Sequence, residues 1–214
     1  MTTALFVAAG YLIGSVPFGY WLIRVSKHVD IRKVGSGNIG ASNVWRTFGW
    51  RYGVPVMLFD TAKGFVPAFV ATEVAGPLAG VLAGGAAMVG HARPLFLGFA
   101  KGGKTVATAG GTILGVAPVV GVIGAGVWIG VFAITRYASI ASIVAAASLP
   151  IFAYLLGEPW PVIAFGGAAA AAVLVLHREN VKRLFAGTES RAVPWRRRVR
   201  DAMARAEPSS DPRP

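Results

Sequence analysis

Three polar segments hold the residues that could do chemistry, and the first covers residues 34–46, VGSGNIGASNVWR. Its glycines allow close approach and positive φ angles, its neutral side chains form hydrogen bonds, and successive backbone N–H groups on such a loop can make a nest for an anion. A flexible connector would usually contain more Asp, Glu and Lys. The segment therefore indicates an anion-binding loop. Its candidate residues are Gly35, Ser36, Gly37, Asn38, Gly40, Asn43 and the cation Arg46.

The second polar segment, residues 91–104, ends with two lysines around two glycines. An apolar helix is expected directly after it, and a helix N-terminus preceded by glycine N–H groups is typical of a phosphate cradle. Residues 98–105, GFAKGGKT, also match the nucleotide-binding pattern G-x-x-x-x-G-K-[ST], but that pattern requires a preceding strand. A nucleoside triphosphatase is not favoured, and lysines that only mark a membrane interface are the plain alternative. The candidate residues are Lys101, Gly102, Gly103, Lys104 and Thr108.

The third polar segment begins at His177, where the last apolar stretch ends. His177 and Asn180 are about one helical turn apart and share a face. Of the three histidines, His177 has the best setting for proton transfer near neutral pH, although a histidine at a helix end is often only an interface residue. Arg136, Ser139 and Ser142 lie at another boundary between apolar stretches, where they predict either a substrate contact or a snorkelling arginine with packing serines.

One apolar stretch is interrupted by Asp60 and Lys63, three residues apart and therefore on one helix face. Ionisable groups inside such a stretch are costly and usually mark a lined cavity or an internal ion pair. We expect a structural pair that supports the site rather than direct chemistry.

Other chemistries are not indicated by these residues. Cysteine is absent, which excludes thiolate metal sites and cysteine nucleophiles. A metal site would need clustered carboxylates or histidines, no G-x-S-x-G nucleophile motif occurs, and the His-x4-Asp pattern of coenzyme-A-dependent acyltransferases is missing. The sequence predicts one or two anionic substrates and no metal or cofactor.

The elements that must position these segments are membrane-spanning helices. The chain has 214 residues, of which 55% are hydrophobic and 14% charged, against about 25% charged in a soluble domain. The first uncharged stretch is long enough to cross about 30 Å of hydrocarbon. It is too long for a signal peptide, and neither basic residues before it nor a small-residue cleavage site after it are present. The apolar stretches are residues 4–23, 52–72, 74–90, 105–135, 137–156 and 159–176.

The number of spans depends on residues 105–135, which form either one long helix or two short ones. A break near residues 118–126 places four polar segments on the same side of the membrane: residues 24–51, residues 91–104, Arg136 and the tail from residue 177. These segments contain 6, 3, 1 and 10 Lys or Arg residues, and the segments on the other side contain no Lys or Arg. The positive-inside rule then predicts an all-α integral membrane protein. It has seven transmembrane helices, an external N-terminus, a cytoplasmic C-terminus and three motif-bearing cytoplasmic loops.

The charge of +12 fits this arrangement without nucleic acid as a partner. Cytoplasmic loops beside anionic lipid headgroups account for it. We expect one membrane domain over residues 1–190. The arginine-rich residues 191–214 are expected to form a disordered cytoplasmic arm against anionic lipid.

In this order, the motifs resemble the bacterial membrane glycerol-3-phosphate acyltransferases that use acyl phosphate as donor, the PlsY family. The resemblance covers about residues 10–190. The family's seven-helix topology with an external N-terminus agrees with the charge argument. The matching segments are 14–19 (GSVPFG), 36–46 (SGNIGASNVWR), 60–64 (DTAKG), 101–108 (KGGKTVAT), 136–142 (RYASIAS), 177–180 (HREN) and 187–189 (GTE).

The resemblance implies roles for individual residues. Ser36 and Arg46 match essential residues of the first motif, whose loop would hold the acyl phosphate. Residues 101–104 would hold the phosphate of glycerol 3-phosphate, with Arg136 and Ser142 nearby. The family's active-site pair and its structurally important glutamate fall on His177, Asn180 and Glu189. The chain departs from the family pattern at Ser42, at Thr105 and at Ala100, an extra residue before Lys101.

Together these observations predict an acyltransferase of the bacterial cytoplasmic (inner) membrane, with its site facing the cytoplasm. The 1-hydroxyl of glycerol 3-phosphate attacks the acyl phosphate, and lysophosphatidate and phosphate form. The base is either His177 or an oxygen of the donor phosphate. The alternative from another class is a transporter or exchanger of small organophosphates that uses the same loops. No oligomeric state is predicted.

Overall fold

The computed structural model describes residues 1–192, and this part of the chain is helical without a strand. Most of the predicted arm, residues 193–214, lies outside the described residues. Two short 3-10 turns join the α-helices at Ile31–Lys33 and Leu95–Leu97. The helices are α1 (Thr2–Gly14), α2 (Phe18–Lys27), α3 (Ala41–Phe48), α4 (Trp50–Ala92), α5 (Val106–Val116), α6 (Pro118–Thr135), α7 (Ala138–Leu155), α8 (Trp160–Leu176) and α9 (Arg178–Phe185).

Proline and glycine decide where the apolar helices break. Pro17 separates α1 from α2, because its ring removes a backbone donor and restricts the residue before it. Pro118 starts α6 after Ala117, whose φ of −139° and ψ of 79° end α5, so residues 105–135 form two helices. The break lies at Ala117, directly before the predicted range of residues 118–126.

The 43-residue α4 is not straight, because Gly76 has a φ of 82° and a ψ of 174°. Beyond it the chain turns back: a Cβ added at Gly80 would overlap the Thr72 hydroxyl and lie 2.9 Å from the Ala68 carbonyl oxygen. Residues eight apart in a straight helix would be about 12 Å from each other. The two halves of α4 therefore pack against each other, and the break predicted near residue 73 lies at Gly76.

Small residues bring the helices into close contact. A Cβ at Gly10 or Gly14 in α1 would overlap the carbonyl oxygens of Ala83 or Ala87 in α4. A Cβ at Gly64 in α4 would likewise overlap the Thr108 carbonyl oxygen in α5. Close approach of this kind is typical of helix packing in membranes, and it fixes α5, which follows the second polar segment, against α4.

A separate apolar cluster supports the first polar segment. Ile23 of α2, Ile31, Ile39, Val44 of α3 and Val56 of α4 are buried together. Burial of such side chains contributes about 1.5–3 kcal/mol each. The loop is therefore anchored by apolar residues within and on both sides of it.

Within residues 1–192, four helical stretches are long and apolar enough to cross a membrane, and the α8–α9 pair, bent by 57°, makes a fifth when it is counted as one span. Helix α5 is apolar but has only 11 residues. The prediction of seven spans goes beyond this count and stays a prediction. The four stretches are Thr2–Lys27, Trp50–Leu97, Pro118–Thr135 and Ala138–Leu155.

Candidate active site

The first polar loop is folded around the side chain of Asn43, which is buried at the start of α3. Its Oδ1 accepts the Ser36 N–H at 2.8 Å, and its Nδ2 donates to the carbonyl oxygens of Val34 at 3.1 Å and Asn38 at 2.9 Å. Asn43 thus holds the loop in shape. Its predicted contact with substrate stays a prediction.

The backbone of this loop differs from the predicted anion nest. The Gly37 N–H donates to the Val34 carbonyl oxygen at 3.1 Å, and the Gly40 N–H donates to Asn38 Oδ1 at 2.8 Å. Together with the N–H of Ser36, these groups are used inside the loop. The prediction of an anion nest was therefore wrong for the N–H groups of Ser36, Gly37 and Gly40, because a nest requires neighbouring N–H groups that are free.

Two of the three glycines have the backbone that the sequence suggested. Gly35 and Gly37 have φ angles of 61° and 70°, which favour glycine. Gly40 does not: its φ is −79°, and it is the N-cap of α3. Close approach holds there instead, because an added Cβ would lie 2.9 Å from Asn38 Oδ1.

The second loop is attached to the first loop and to the end of α4. Asn38 Nδ2 donates to the Gly102 carbonyl oxygen at 3.3 Å. The Gly102 and Gly103 N–H groups donate to the Ala92 and His91 carbonyl oxygens at 2.9 Å and 3.0 Å. The sequence predicted that these two N–H groups would face an anion, but they are used in hydrogen bonds within the protein. The lysines and the N-terminus of α5 are the groups left for anion binding, which stays a prediction.

The third segment meets the second through hydrogen bonds between side chains. Lys104 Nζ donates to Asn180 Oδ1, and Asn180 Nδ2 donates to Glu189 Oε1 at 2.7 Å. Ser139 Oγ donates to the same carboxylate oxygen at 3.0 Å, and Arg183 Nε donates to Glu189 Oε2 at 2.8 Å. Glu189 thus joins α7 and α9 to the second loop. We call this set the Glu189 network.

The charges of the site shift the pKa values of Lys104 and Glu189. Burial, and then the nearby Arg183 guanidinium, lower the pKa of Lys104 to about 8; Glu189 opposes this, and Arg46 and Lys101 add to it. Burial alone would raise the pKa of Glu189, but hydrogen bonds from Asn180, Arg183 and Ser139 outweigh it and hold this pKa below its usual value. Cations of all three polar segments, Arg46, Lys101 and Arg183, therefore lie near enough to Lys104 to affect its charge.

His177 is buried where α8 ends and α9 begins. Its Nδ1 lies 2.8 Å from the Val173 carbonyl oxygen. Because a carbonyl oxygen only accepts hydrogen bonds, Nδ1 carries the proton. In the neutral ring Nε2 then has a free lone pair, as a general base requires. Asn180, also buried, follows one turn later on the helix that holds the Glu189 network.

The remaining predicted residues lie around this centre in different settings. Arg136, with a φ of 64°, ends α6, and its carbonyl oxygen accepts the Ala192 N–H at 2.9 Å. Ser142 Oγ donates to the Ala138 carbonyl oxygen at 2.6 Å and accepts the Trp128 Nε1–H at 3.1 Å. These bonds stabilise the helices, and the contact of Ser142 with substrate stays a prediction.

The other candidates divide into exposed, partly buried and fully buried residues. Ser36 and Lys101 are exposed, and Arg46 is partly buried. Thr108 is fully buried, and its hydroxyl has no hydrogen-bond partner among the described residues. The ion pair expected inside the apolar stretch is present, with Lys63 Nζ 2.9 Å from Asp60 Oδ1. Within residues 1–192, no three His, Asp or Glu side chains are grouped to hold a metal ion.

Two residues of the site were not among the predicted site residues. Arg183 contacts Glu189 and lies one turn after Asn180 on α9, where the helical spacing places it beyond His177 and Asn180, but the sequence alone assigned it no role. His91 lies in the last turn of α4, and its carbonyl oxygen accepts the Gly103 N–H. No sequence signal distinguished it from an interface histidine.

Fold and site together define a helical membrane protein with a cationic centre where three polar segments meet. A family model described as "Glycerol-3-phosphate acyltransferase" matches residues 4–187. The chain belongs to this family, as the sequence resemblance suggested, and is a membrane acyltransferase.

Relatives match nearly the whole of this chain. The glycerol-3-phosphate acyltransferase of Aquifex aeolicus is 43% identical over 193 residues, which cover 89% of this chain and 100% of the relative. That of Geobacter sulfurreducens is 47% identical, covering 86% and 94%. A crystal structure of PlsY, an integral membrane glycerol 3-phosphate acyltransferase, in its glycerol 3-phosphate form has a TM-score of 0.86 at 40% identity, covering 90% of this chain and 96% of that one. A second crystal structure, of its lysophosphatidic acid form, gives 0.84 at 39%.

Proposed function

We propose that this protein transfers an acyl group from acyl phosphate to the 1-hydroxyl of glycerol 3-phosphate, giving lysophosphatidate and inorganic phosphate. The observation that carries the proposal is the bonded set Lys104–Asn180–Glu189, which joins the second and third polar segments. His177 lies near Lys104 and Glu189, and Arg46 of the first loop is near enough to affect the charge of Lys104. Forms of PlsY with glycerol 3-phosphate and with lysophosphatidic acid support the same acceptor and product. Both substrates carry phosphate, and clustered cations suit them.

The proposed reaction is a direct acyl transfer. The hydroxyl oxygen of the acceptor attacks the carbonyl carbon of the donor, the bond from that carbon to the phosphate oxygen breaks, and phosphate leaves. The hydroxyl proton passes to His177 Nε2 or to an oxygen of the donor phosphate. Because the donor is already activated, the protein mainly has to hold two anions close together and neutralise them.

The proposed roles follow the three loops. The first loop, with Ser36 and Arg46, holds the acyl phosphate, and Asn180 orients Lys104 beside His177. The acceptor phosphate is bound between the second loop and the α6–α7 junction. Support comes from Asp60, Lys63 and Glu189. The proposed substrate contacts also include Asn38, Asn43, Lys101, Thr108, Arg136, Ser139 and Ser142.

We also propose seven spans in the bacterial cytoplasmic membrane, with the site facing the cytoplasm. At 1.5 Å per residue, the 43 residues of α4 would measure about 65 Å, roughly twice the hydrocarbon thickness. The reversal at Gly76 and the break before Pro118 support two pairs of spans. All cytoplasmic loops of this topology are basic, as the positive-inside rule requires.

Sealed vesicles distinguish this proposal from an organophosphate transporter. With palmitoyl phosphate present, labelled glycerol 3-phosphate should be converted to lysophosphatidate in the lipid phase, and Lys104→Ala vesicles should form little of it. Uptake of unchanged glycerol 3-phosphate into the lumen, without product, would instead support the transporter.

A further inference from the structure

A row of buried polar side chains lies beneath the second loop and takes no part in the proposed chemistry. Lys63 Nζ lies 2.9 Å from Asp60 Oδ1, and the same carboxylate oxygen lies 3.7 Å from His91 Nδ1. All three side chains are at most 6% exposed. Lys63 Nζ also donates to the Val16 carbonyl oxygen at 3.2 Å, in the break between α1 and α2. The row therefore connects that break to the end of α4.

His91 is the member of the row that contacts the loop. Its carbonyl oxygen accepts the Gly103 N–H at 3.0 Å. Its ring lies so close to Gly103 that a Cβ there would overlap Nε2, and a Cβ at Gly102 would overlap the His91 carbonyl oxygen. The ring and backbone of His91 thus fix how near Gly102 and Gly103 come to α4.

The other side of the imidazole ring faces the ion pair. His91 Nδ1 is buried and has no hydrogen-bond partner among the described residues. A buried, unpaired ring nitrogen is costly, and the Asp60 carboxylate is the charged group beside it. Lys63 holds that carboxylate in place. The orientation of the ring therefore depends on the ion pair.

We infer that His91 is a positioning residue for glycerol 3-phosphate: supported by Asp60 and Lys63, it holds Gly102 and Gly103 where the following Lys104 can contact the acceptor phosphate. This inference rests on the proposed function, in which the second loop binds that phosphate. Lys104 is joined to Gly103 by one peptide bond, so a displacement of the glycines displaces the lysine.

The inference has a kinetic signature. The acceptor phosphate does not react, and its contacts are present in both the ground state and the transition state. Loss of such contacts raises KM and leaves kcat nearly unchanged. A residue that only stabilised the fold would lower the amount of folded protein without changing KM.

The test uses purified full-length protein with His91→Ala and the milder His91→Asn. For His91→Ala we expect KM for glycerol 3-phosphate to rise roughly tenfold while kcat changes less than about threefold, with a smaller rise for His91→Asn. The matched control is Gly166→Ala, whose Cβ would lie 2.9 Å from Pro150 N, between α7 and α8. It should lower thermal stability without raising KM. An unchanged KM in either folded His91 variant would overturn the inference.

A double variant tests the contact itself. Gly103→Ala alone should raise KM because its methyl group meets the His91 ring, and Gly103→Ala with His91→Ala should bind better than Gly103→Ala alone because the ring is gone. Effects that simply add would show that the two residues act independently and would contradict the inference.

Calorimetric binding of glycerol 3-phosphate separates this inference from the proposed function. Wild-type protein that binds the ligand but forms no product would refute the acyl transfer alone. In that case roughly tenfold weaker binding to His91→Ala still supports the positioning role, and equal binding refutes it.

Discussion

Among single residues, Lys104 carries a positive charge at the centre of the site, and this charge is lost at mildly alkaline pH. Burial and neighbouring cations lower its pKa to about 8, so its ammonium group is present below that pH and is lost as pH rises through it. A phosphate monoester, whose second pKa is about 6, is already a dianion there. With Lys104 in its proposed role at the acceptor phosphate, the affinity for glycerol 3-phosphate is expected to fall on the alkaline side.

We predict that kcat/KM for glycerol 3-phosphate falls on the alkaline side with an apparent pKa near 8. Lys104→Arg should shift this fall beyond the measurable pH range, because a guanidinium group stays charged at every pH at which the enzyme can be assayed. The measurement is the pH dependence of kcat/KM for both proteins. A fall that persists unchanged in Lys104→Arg would show that another group titrates.

His177 is the second residue whose role a substitution can decide. Its Nδ1 is bonded to the Val173 carbonyl oxygen, so only Nε2 is available for proton transfer. His177→Ala should lower kcat by roughly 10²–10⁴-fold, the usual contribution of a general base, in protein that still folds. The control is the exposed His28→Asn, because asparagine tolerates the φ of 55° at that position. Normal turnover in His177→Ala would assign the base to the donor phosphate.

At the level of the elements, Glu189 connects the segment after α9 to the start of α7. Its carboxylate accepts from Ser139, Asn180 and Arg183. In Glu189→Gln, an amide N–H₂ would face one of these donors. We expect the free energy of unfolding to fall by about 1–3 kcal/mol, the cost of an unsatisfied buried donor, together with lower activity as Asn180 loses its orientation.

Thermal unfolding of the Glu189→Gln protein in detergent measures this effect. Glu179→Gln is a suitable control, because Glu179 is about half exposed and its salt bridges within residues 1–192 are to its helix neighbours Arg178 and Lys182, at 3.7 Å and 3.4 Å. Equal stability of Glu189→Gln and the wild-type protein would mean that the Glu189 network does not hold α7 to α9.

Helix breaks and positive φ angles could be predicted because they depend on one or two residues. Pro118 and Gly37 act through their own backbone geometry. Other features could not be predicted, because each depends on a partner that folding brings close. They are the inward position of Asn43, the negative φ of Gly40 and the use of the Gly102 and Gly103 N–H groups. For the same reason His91 looked like an ordinary interface residue.

For the whole molecule, the predicted topology follows from the distribution of charge. If α5 and α6 cross separately, Glu73 and Glu158 lie on the same external side, and Lys27 and Lys182 lie inside. If residues 105–135 crossed once, Glu73 and Glu158 would lie on opposite sides. The reversal of α4 at Gly76 and the break at Ala117 favour the first arrangement.

The absence of cysteine makes this testable with single introduced cysteines. In intact cells, a membrane-impermeant maleimide should label Glu73→Cys and Glu158→Cys and should label Lys27→Cys only after lysis. Labelling of one glutamate position without the other, in proteins that both react after lysis, would contradict the seven-span topology.

The most direct test of the central claim is phosphate release by the purified protein. It is given palmitoyl phosphate and glycerol 3-phosphate, with palmitoyl-coenzyme A as a parallel donor. We predict release that requires both substrates, one lysophosphatidate for each phosphate, and no product from the coenzyme A ester. Lysophosphatidate formed only from the coenzyme A ester, or no product from either donor, would contradict direct transfer from acyl phosphate.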